Sequence, residues 1–96
     1  MKTYYTPEAL QDLISIGDWI SRDNPDRSES FVEELILSCE EILNFPEKFP
    51  FVAQFESRGL RRKVHGNYLI FYRVKLAQLE IIHVFHGSRD YSKLLD

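Results

Sequence analysis

The stretch Arg58 to Tyr91, RGLRRKVHGNYLIFYRVKLAQLEIIHVFHGSRDY, leaves this chain few folds to choose from. Its middle, Tyr68 to Val74, is dominated by aromatic and β-branched residues and is bounded by turn signals, which suits a central strand. Upstream, Val64 leads into His65-Gly66-Asn67, where Gly and Asn tolerate the positive φ of a tight hairpin. Downstream, Lys75 to Gln78 makes a second turn, and Leu79 to His86 forms a third strand that Gly87 ends. An antiparallel meander is the expected core.

The first half reads as helix. Lys2 to Tyr5 supplies a short edge strand, and Thr6-Pro7-Glu8 then starts a helix, with Thr6 as cap and Pro7 at the first helical position. Leu10, Leu13, Ile14, Gly17 and Ile20 form one apolar stripe, with Gly17 expected at a close crossing of two helices, where a side chain would obstruct approach. Asn24-Pro25 repeats the start signal. In the second helix Val32, Leu35, Ile36, Cys39, Ile42 and Leu43 are the expected buried stripe, with Glu33, Glu34, Glu40 and Glu41 on the other side. Trp19 and Leu37 fall off these stripes and read as isolated surface residues, Trp19 packing against the adjacent loop. Asn44 to Pro50 is a connector, and Phe45, Phe49, Phe51 and Phe55 are expected to close one end of the core. The expected architecture is α+β, in the order β-α-α-β-β-β, with a helical hairpin on a mainly antiparallel sheet. A chain of 96 residues makes this a single domain, 1–96.

Charge is divided unevenly. Residues 1–50 carry four basic and eleven acidic side chains, a balance of −7, while residues 51–96 carry eight basic and four acidic, a balance of +4. A basic sheet half can attract nucleic acid or an acidic protein. The first fifteen residues include Glu8 and Asp12 and lack the apolar core of a signal peptide, and no apolar run approaches the roughly 20 residues of a membrane span. Cys39 has no second cysteine to pair with, which fits a reducing compartment. The expected location is cytoplasmic.

Arg61 and Lys63, two apart on a strand, point to one face, and Arg62 to the other. Arg73, His83, His86, Arg89 and Tyr91 lie on neighbouring strands or just beyond. Such residue types can bind phosphate and move protons, yet they occur in many sheets. His65, His83, His86 and one cysteine do not have zinc-ligand spacing, and no Gly-rich phosphate loop is present, so neither metal nor cofactor is expected.

Three segments carry a family resemblance: GLR at 59–61, GNYLIFYRV at 66–74 and VFHGSRD at 84–90. The chain resembles the ParE/RelE superfamily of toxins from type II toxin–antitoxin systems, and its ParE branch most closely, with His86-Gly87-Ser88-Arg89-Asp90 as the most specific piece. The resemblance implies a protein that poisons DNA gyrase by stoichiometric binding and is neutralised by a cognate antitoxin, by edge-strand addition or helix-in-groove docking. The alternative within the superfamily is a RelE-like, ribosome-dependent messenger-RNA endonuclease. Against it, Leu69 stands where RelE-like sequences carry an Arg, and Tyr91 follows Arg89 too closely for the RelE-like Tyr. On this reading Arg61, Lys63, Arg73, Arg89 and Tyr91 contact the target. His86, Gly87 and Asp90 hold the closing turn, with His86 bonded to Asp90.

Overall fold

Thr6 and Asn24 each precede a proline, and each caps a helix. Thr6 Oγ1 accepts from Ala9 N at 3.0 Å and Asn24 Oδ1 from Arg27 N at 3.1 Å, satisfying amides that the helix leaves unpaired. The computed structural model describes residues 1–95. In it β1 (Lys2–Tyr5), α1 (Pro7–Ser21), α2 (Pro25–Glu41), β2 (Arg61–His65), β3 (Tyr68–Lys75) and β4 (Gln78–His86) follow in the expected order, with a short α3 (Tyr91–Leu94) added. The strands form one sheet, β1-β4-β3-β2, in which the meander is antiparallel and β1 runs parallel to β4.

Both faces of this sheet are covered. The helices pack Ala9, Leu13, Ile16, Leu35, Cys39 and Ile42 against Ile70, Tyr72, Leu79, Ile81 and Val84. On the opposite face Leu69, Phe71 and Phe85 meet Val52, Phe55 and Leu60 from the segment just before β2, with Tyr91 and Leu95 closing over them. Four consecutive residues of β3, Leu69 to Tyr72, are therefore buried. A continuous apolar run, rather than an alternating one, is the sequence mark of a strand covered on two sides.

Past β1, α1 takes over the edge of β4. Thr6 N donates to Ile81 O at 3.1 Å and Thr6 Oγ1 to Ile82 O at 2.8 Å. Asp12 Oδ2 then accepts from Val84 N at 2.9 Å and from His83 Nδ1 at 2.7 Å. A bulge at Ile82, which has no partner between the pairs Tyr72–Ile81 and Phe71–His83, turns β4 at this point.

These anchors fix the rotation of α1 and correct the expected stripe. Ala9, Leu13 and Ile16 face the sheet, whereas Leu10 and Ile14 are 50% and 58% exposed. On α2, Leu35 and Cys39 are buried, as is Ile42 just beyond the helix, but Ile36 is exposed. Gly17 does lie at the helix crossing, where its carbonyl accepts from Ser28 Oγ at 2.6 Å. A Cβ there would meet Val32 and Ser28 at 3.4 and 3.5 Å, an ordinary contact for a methyl group, so a small side chain would not obstruct the approach. The aromatic connector is also divided. Phe55 is buried and Phe49 half-buried, while Phe45 and Phe51 are exposed and do not close the core.

The second hairpin turn places Leu76 and Ala77 at φ 53° and 57°. Left-handed backbone costs an L-residue roughly 1–2 kcal/mol, and two-residue hairpins of this kind favour Asn-Gly. Leu76 is 91% exposed, so nothing in the core needs its side chain. Leu76→Asn with Ala77→Gly should stabilise the protein by about 1–2 kcal/mol in urea unfolding. An unchanged or lower midpoint contradicts the turn geometry.

Candidate functional site

Arg61 and Lys63 share a face, as their spacing requires, and it is the helical face. There both serve the fold. Arg61 Nη1 donates to the carbonyls of Glu47 at 3.0 Å and Phe49 at 2.7 Å, with its guanidinium 3.9 Å from the Phe51 ring centre. Lys63 Nζ donates to Ser38 O at 2.7 Å and lies 3.4 Å from Glu41, and its side chain is only 12% exposed. A cation beside the last carbonyls of a helix is favourable, because those oxygens lack amide partners and carry the negative end of the dipole. Lys63 supplies that cation from the sheet, since α2 has no basic residue in its own last turn.

The other expected target-binding residues lie elsewhere. Arg73 bonds Glu80 across the β3–β4 pair at 2.6 Å, near the Leu76-Ala77 turn. Arg89 and Tyr91 follow the opposite end of β4. Tyr91 packs on Phe71, with ring centres 5.0 Å apart, while Arg89 is exposed with its guanidinium 5.0 Å from the Phe85 ring. The five residues do not converge on one cluster. Arg89 is the one among them that projects from an exposed backbone segment.

Two separate pairs of residues make the local bonds of the HGSRD turn. His86 Nδ1 accepts from Ser88 N at 3.1 Å and contacts Ser88 Oγ at 2.7 Å. Asp90 instead caps α3, accepting from Ser92 N at 3.3 Å and Ser92 Oγ at 2.6 Å. The expected bond between His86 and Asp90 is replaced by these two. Gly87 N donates to Asn67 O at 2.7 Å, tying the end of β4 to the first hairpin, and a Cβ at Gly87 would approach that oxygen to 3.3 Å.

Next to this turn lies a cleft of about 380 Å³ lined by Ser15, Ile16, Trp19, Tyr68, His86 and Ser88. Trp19, read from the sequence as an isolated surface residue, is one of its walls, with the Arg22 guanidinium 5.4 Å from its ring. Tyr68 meets His86 edge-on at 5.2 Å and Phe31 at 5.4 Å. The sequence signal for this cleft was the unplaced Trp19. Among the described residues no group of three or more His, Cys, Asp or Glu is placed to hold a metal ion. No helix there is long and apolar enough to cross a membrane. Leu69 is 8% exposed and belongs to the second core.

This arrangement defines a small α+β domain in which an exposed turn carrying Arg89 follows a meander buried on both faces. The fold matches a solved structure of a chromosomal ParDE toxin–antitoxin system from P. aeruginosa, with a TM-score of 0.78 and 18% identity over 90% of this chain and 95% of that one. The family model for the ParE toxin of type II toxin–antitoxin systems matches residues 4–91, and the chain belongs to that family. No curated protein sequence matches it.

Two measurements test the placement of these side chains. Lys63→Met should cost about 1–2 kcal/mol, because it leaves carbonyls at the end of α2 without a charged donor. Arg89→Ala should cost less than about 1 kcal/mol, as expected for an exposed cation on an aromatic face. Equal losses in chemical denaturation contradict the division between a supporting cation and a free one.

The second test uses pH. Burial pushes the Cys39 thiol up to about 12, and burial likewise pushes the Tyr72 hydroxyl up to about 12. Burial, with the hydrogen bond to Glu40, raises Tyr5 as well. The folded protein thus holds protons that the unfolded chain releases above pH 9 for Cys39 and above pH 10 for the tyrosines. Stability from these groups is complete below those values and falls as pH rises toward 12. Melting temperature should decline from about pH 9, and Cys39→Ala should delay that decline by about one pH unit. A melting temperature that holds from pH 9 to 11 contradicts this.

Proposed function

We propose that this ParE-family toxin acts by binding DNA gyrase and stabilising its cleaved-DNA state, and that a cognate antitoxin neutralises it. The observation that carries this over messenger-RNA cleavage is the use of Arg61 and Lys63. Both donate to backbone carbonyls of the connector and of α2, so neither is free to clamp a phosphate. Leu69, one strand away, is buried and can neither bind phosphate nor transfer a proton. A ribonuclease needs acid, base and clamp held together, whereas a stoichiometric poison needs a shaped surface.

In this reading the target-binding set has two tiers. Arg89 makes the direct contact. Arg61, Lys63, Arg73 and Tyr91 shape the surface by holding the connector, the end of α2, β4 and α3. Among the described residues the outer edge of β1 has no strand beside it, and it offers the antitoxin a place for strand addition.

Purified wild-type protein should raise the level of gyrase-cleaved DNA and leave ribosome-bound messenger RNA intact. Arg89→Ala should weaken gyrase binding, mainly through association rate and salt dependence, without lowering the melting temperature by more than a few degrees. Arg61→Ala with Lys63→Ala should lower both, since those residues act through the fold. Cleaved messenger RNA with unchanged gyrase products would reverse the assignment. Co-expression with the neighbouring reading frame should give a complex that survives gel filtration at micromolar concentration, and separate elution speaks against an antitoxin there.

A further inference from the structure

Charge in this protein is sorted by layer as well as by sequence half. Alternation along β2 sends Arg61 and Lys63 toward the helices. Arg62, paired with Phe71, therefore points to the opposite side of the sheet, where Phe71 belongs to the second core. Alternation along β3 puts Arg73 and Lys75 on that side as well, with Leu69 and Phe71. Arg58 and Arg89 approach the Phe55 and Phe85 rings of the same core at 5.4 and 5.0 Å, and Lys93 follows on α3. Six of the eight cations of residues 51–96 thus gather on one side of the sheet.

The acidic charge lies across the molecule. Residues 1–50, which build both long helices, carry the balance of −7. In the basic half the carboxylates are engaged locally: Glu80 pairs with Arg73, Glu56 accepts from Gln54 N at 3.0 Å, and Asp90 caps α3. Arg62, Lys75, Arg89 and Lys93 take part in no ion pair among the described residues. A polyanion that approaches this protein is therefore steered to the second-core side.

Two features narrow the polyanion. The unpaired cations are spread out, not convergent. Arg62 stands two strands across and two residues along from Phe85, beneath Arg89, a separation of about 12 Å by sheet spacings. That is on the scale of a DNA groove, whereas capture of a single carboxylate needs donors side by side. The aromatic rings of this side are also spent on the fold. Phe55, Phe71 and Phe85 are at most 5% exposed, so unpaired bases find no platform there on which to stack. Contact with regularly spaced phosphates remains, and that is how proteins hold a duplex without reading its sequence.

We propose that the second-core side of the sheet binds the sugar–phosphate backbone of double-stranded DNA through Arg62, Arg89 and Lys93, without sequence preference. Binding of duplex by the chain alone does not rest on the gyrase reading. Taken with that reading, it places the toxin against the DNA that gyrase holds as well as against the enzyme.

The test measures fluorescence anisotropy of labelled duplex DNA with the full chain over a series of salt concentrations. Single-stranded RNA of equal length and a poly-glutamate peptide serve as the other probes. The duplex should bind at micromolar concentration in low salt, and log K should fall against log salt with a slope of about −3. Arg62→Ala and Arg89→Ala should each reduce that slope by about 1 while the protein stays folded by circular dichroism. Lys48→Ala removes the same charge from the helical side, where Lys48 lies beside Glu41 and Lys63, and should leave the slope unchanged. Absence of duplex binding in low salt overturns the proposal and leaves the gyrase reading standing, since that reading needs no DNA contact by the toxin. Tighter binding of the RNA, or equal binding of poly-glutamate, overturns it in favour of an RNA or an acidic protein surface. An equal loss from Lys48→Ala overturns it too, because attraction would then follow net charge and not this face.

Discussion

The carboxylate of Asp12 holds the two layers of this protein in register. β4 needs partners along both edges, and β1 ends after covering residues 78–81. Beyond that point Thr6 and then Asp12 of α1 bond the exposed edge of β4, at Ile82 and at His83 and Val84. A helix anchored at two places six residues apart cannot rotate about its axis. Its sheet-facing side is thereby set to Ala9, Leu13 and Ile16, with Ile20 packed beside them and Leu10, Ile14 and Trp19 turned outward.

A second consequence concerns charge. The basic half of the chain looked like an open cationic face, but much of its charge is used inside the molecule. Lys63 and Arg61 reach up from β2 to carbonyls at the end of α2 and in the connector, where the chain has no amides to offer. Arg58 does the same for Leu95 O at 3.2 Å, fastening the C-terminal segment over the second core. Net charge measures side chains in sequence, while binding depends on those left with free hydrogen-bonding capacity. Arg89 keeps that capacity because it sits in a turn whose own bonds are made by His86, Ser88 and Asp90.

Much of the fold was legible in order. The meander, the two capped helices, the edge strand and the buried Cys39 follow from turn residues, cap residues and apolar runs, all of which act over a few positions. Segments 59–61, 66–74 and 84–90 carried the family as well, and the match over residues 4–91 agrees with that. The stripe on α1 could not be phased, because Leu10, Leu13, Ile14, Ile16 and Ile20 fill more than one face, and Ala9 is too small to weigh against Leu10. The pairing of His86 with Ser88 rather than Asp90 depended on how tightly the chain turns at Gly87.

Local chemistry in the sequence therefore determined which elements form and where they begin, since caps, turns and apolar periodicity are short-range. Only the tertiary structure decided which way each element faces. That choice was made by contacts between residues far apart in the chain, Asp12 with Val84 and Lys63 with Ser38, and it determined which apolar and basic residues remain on the surface.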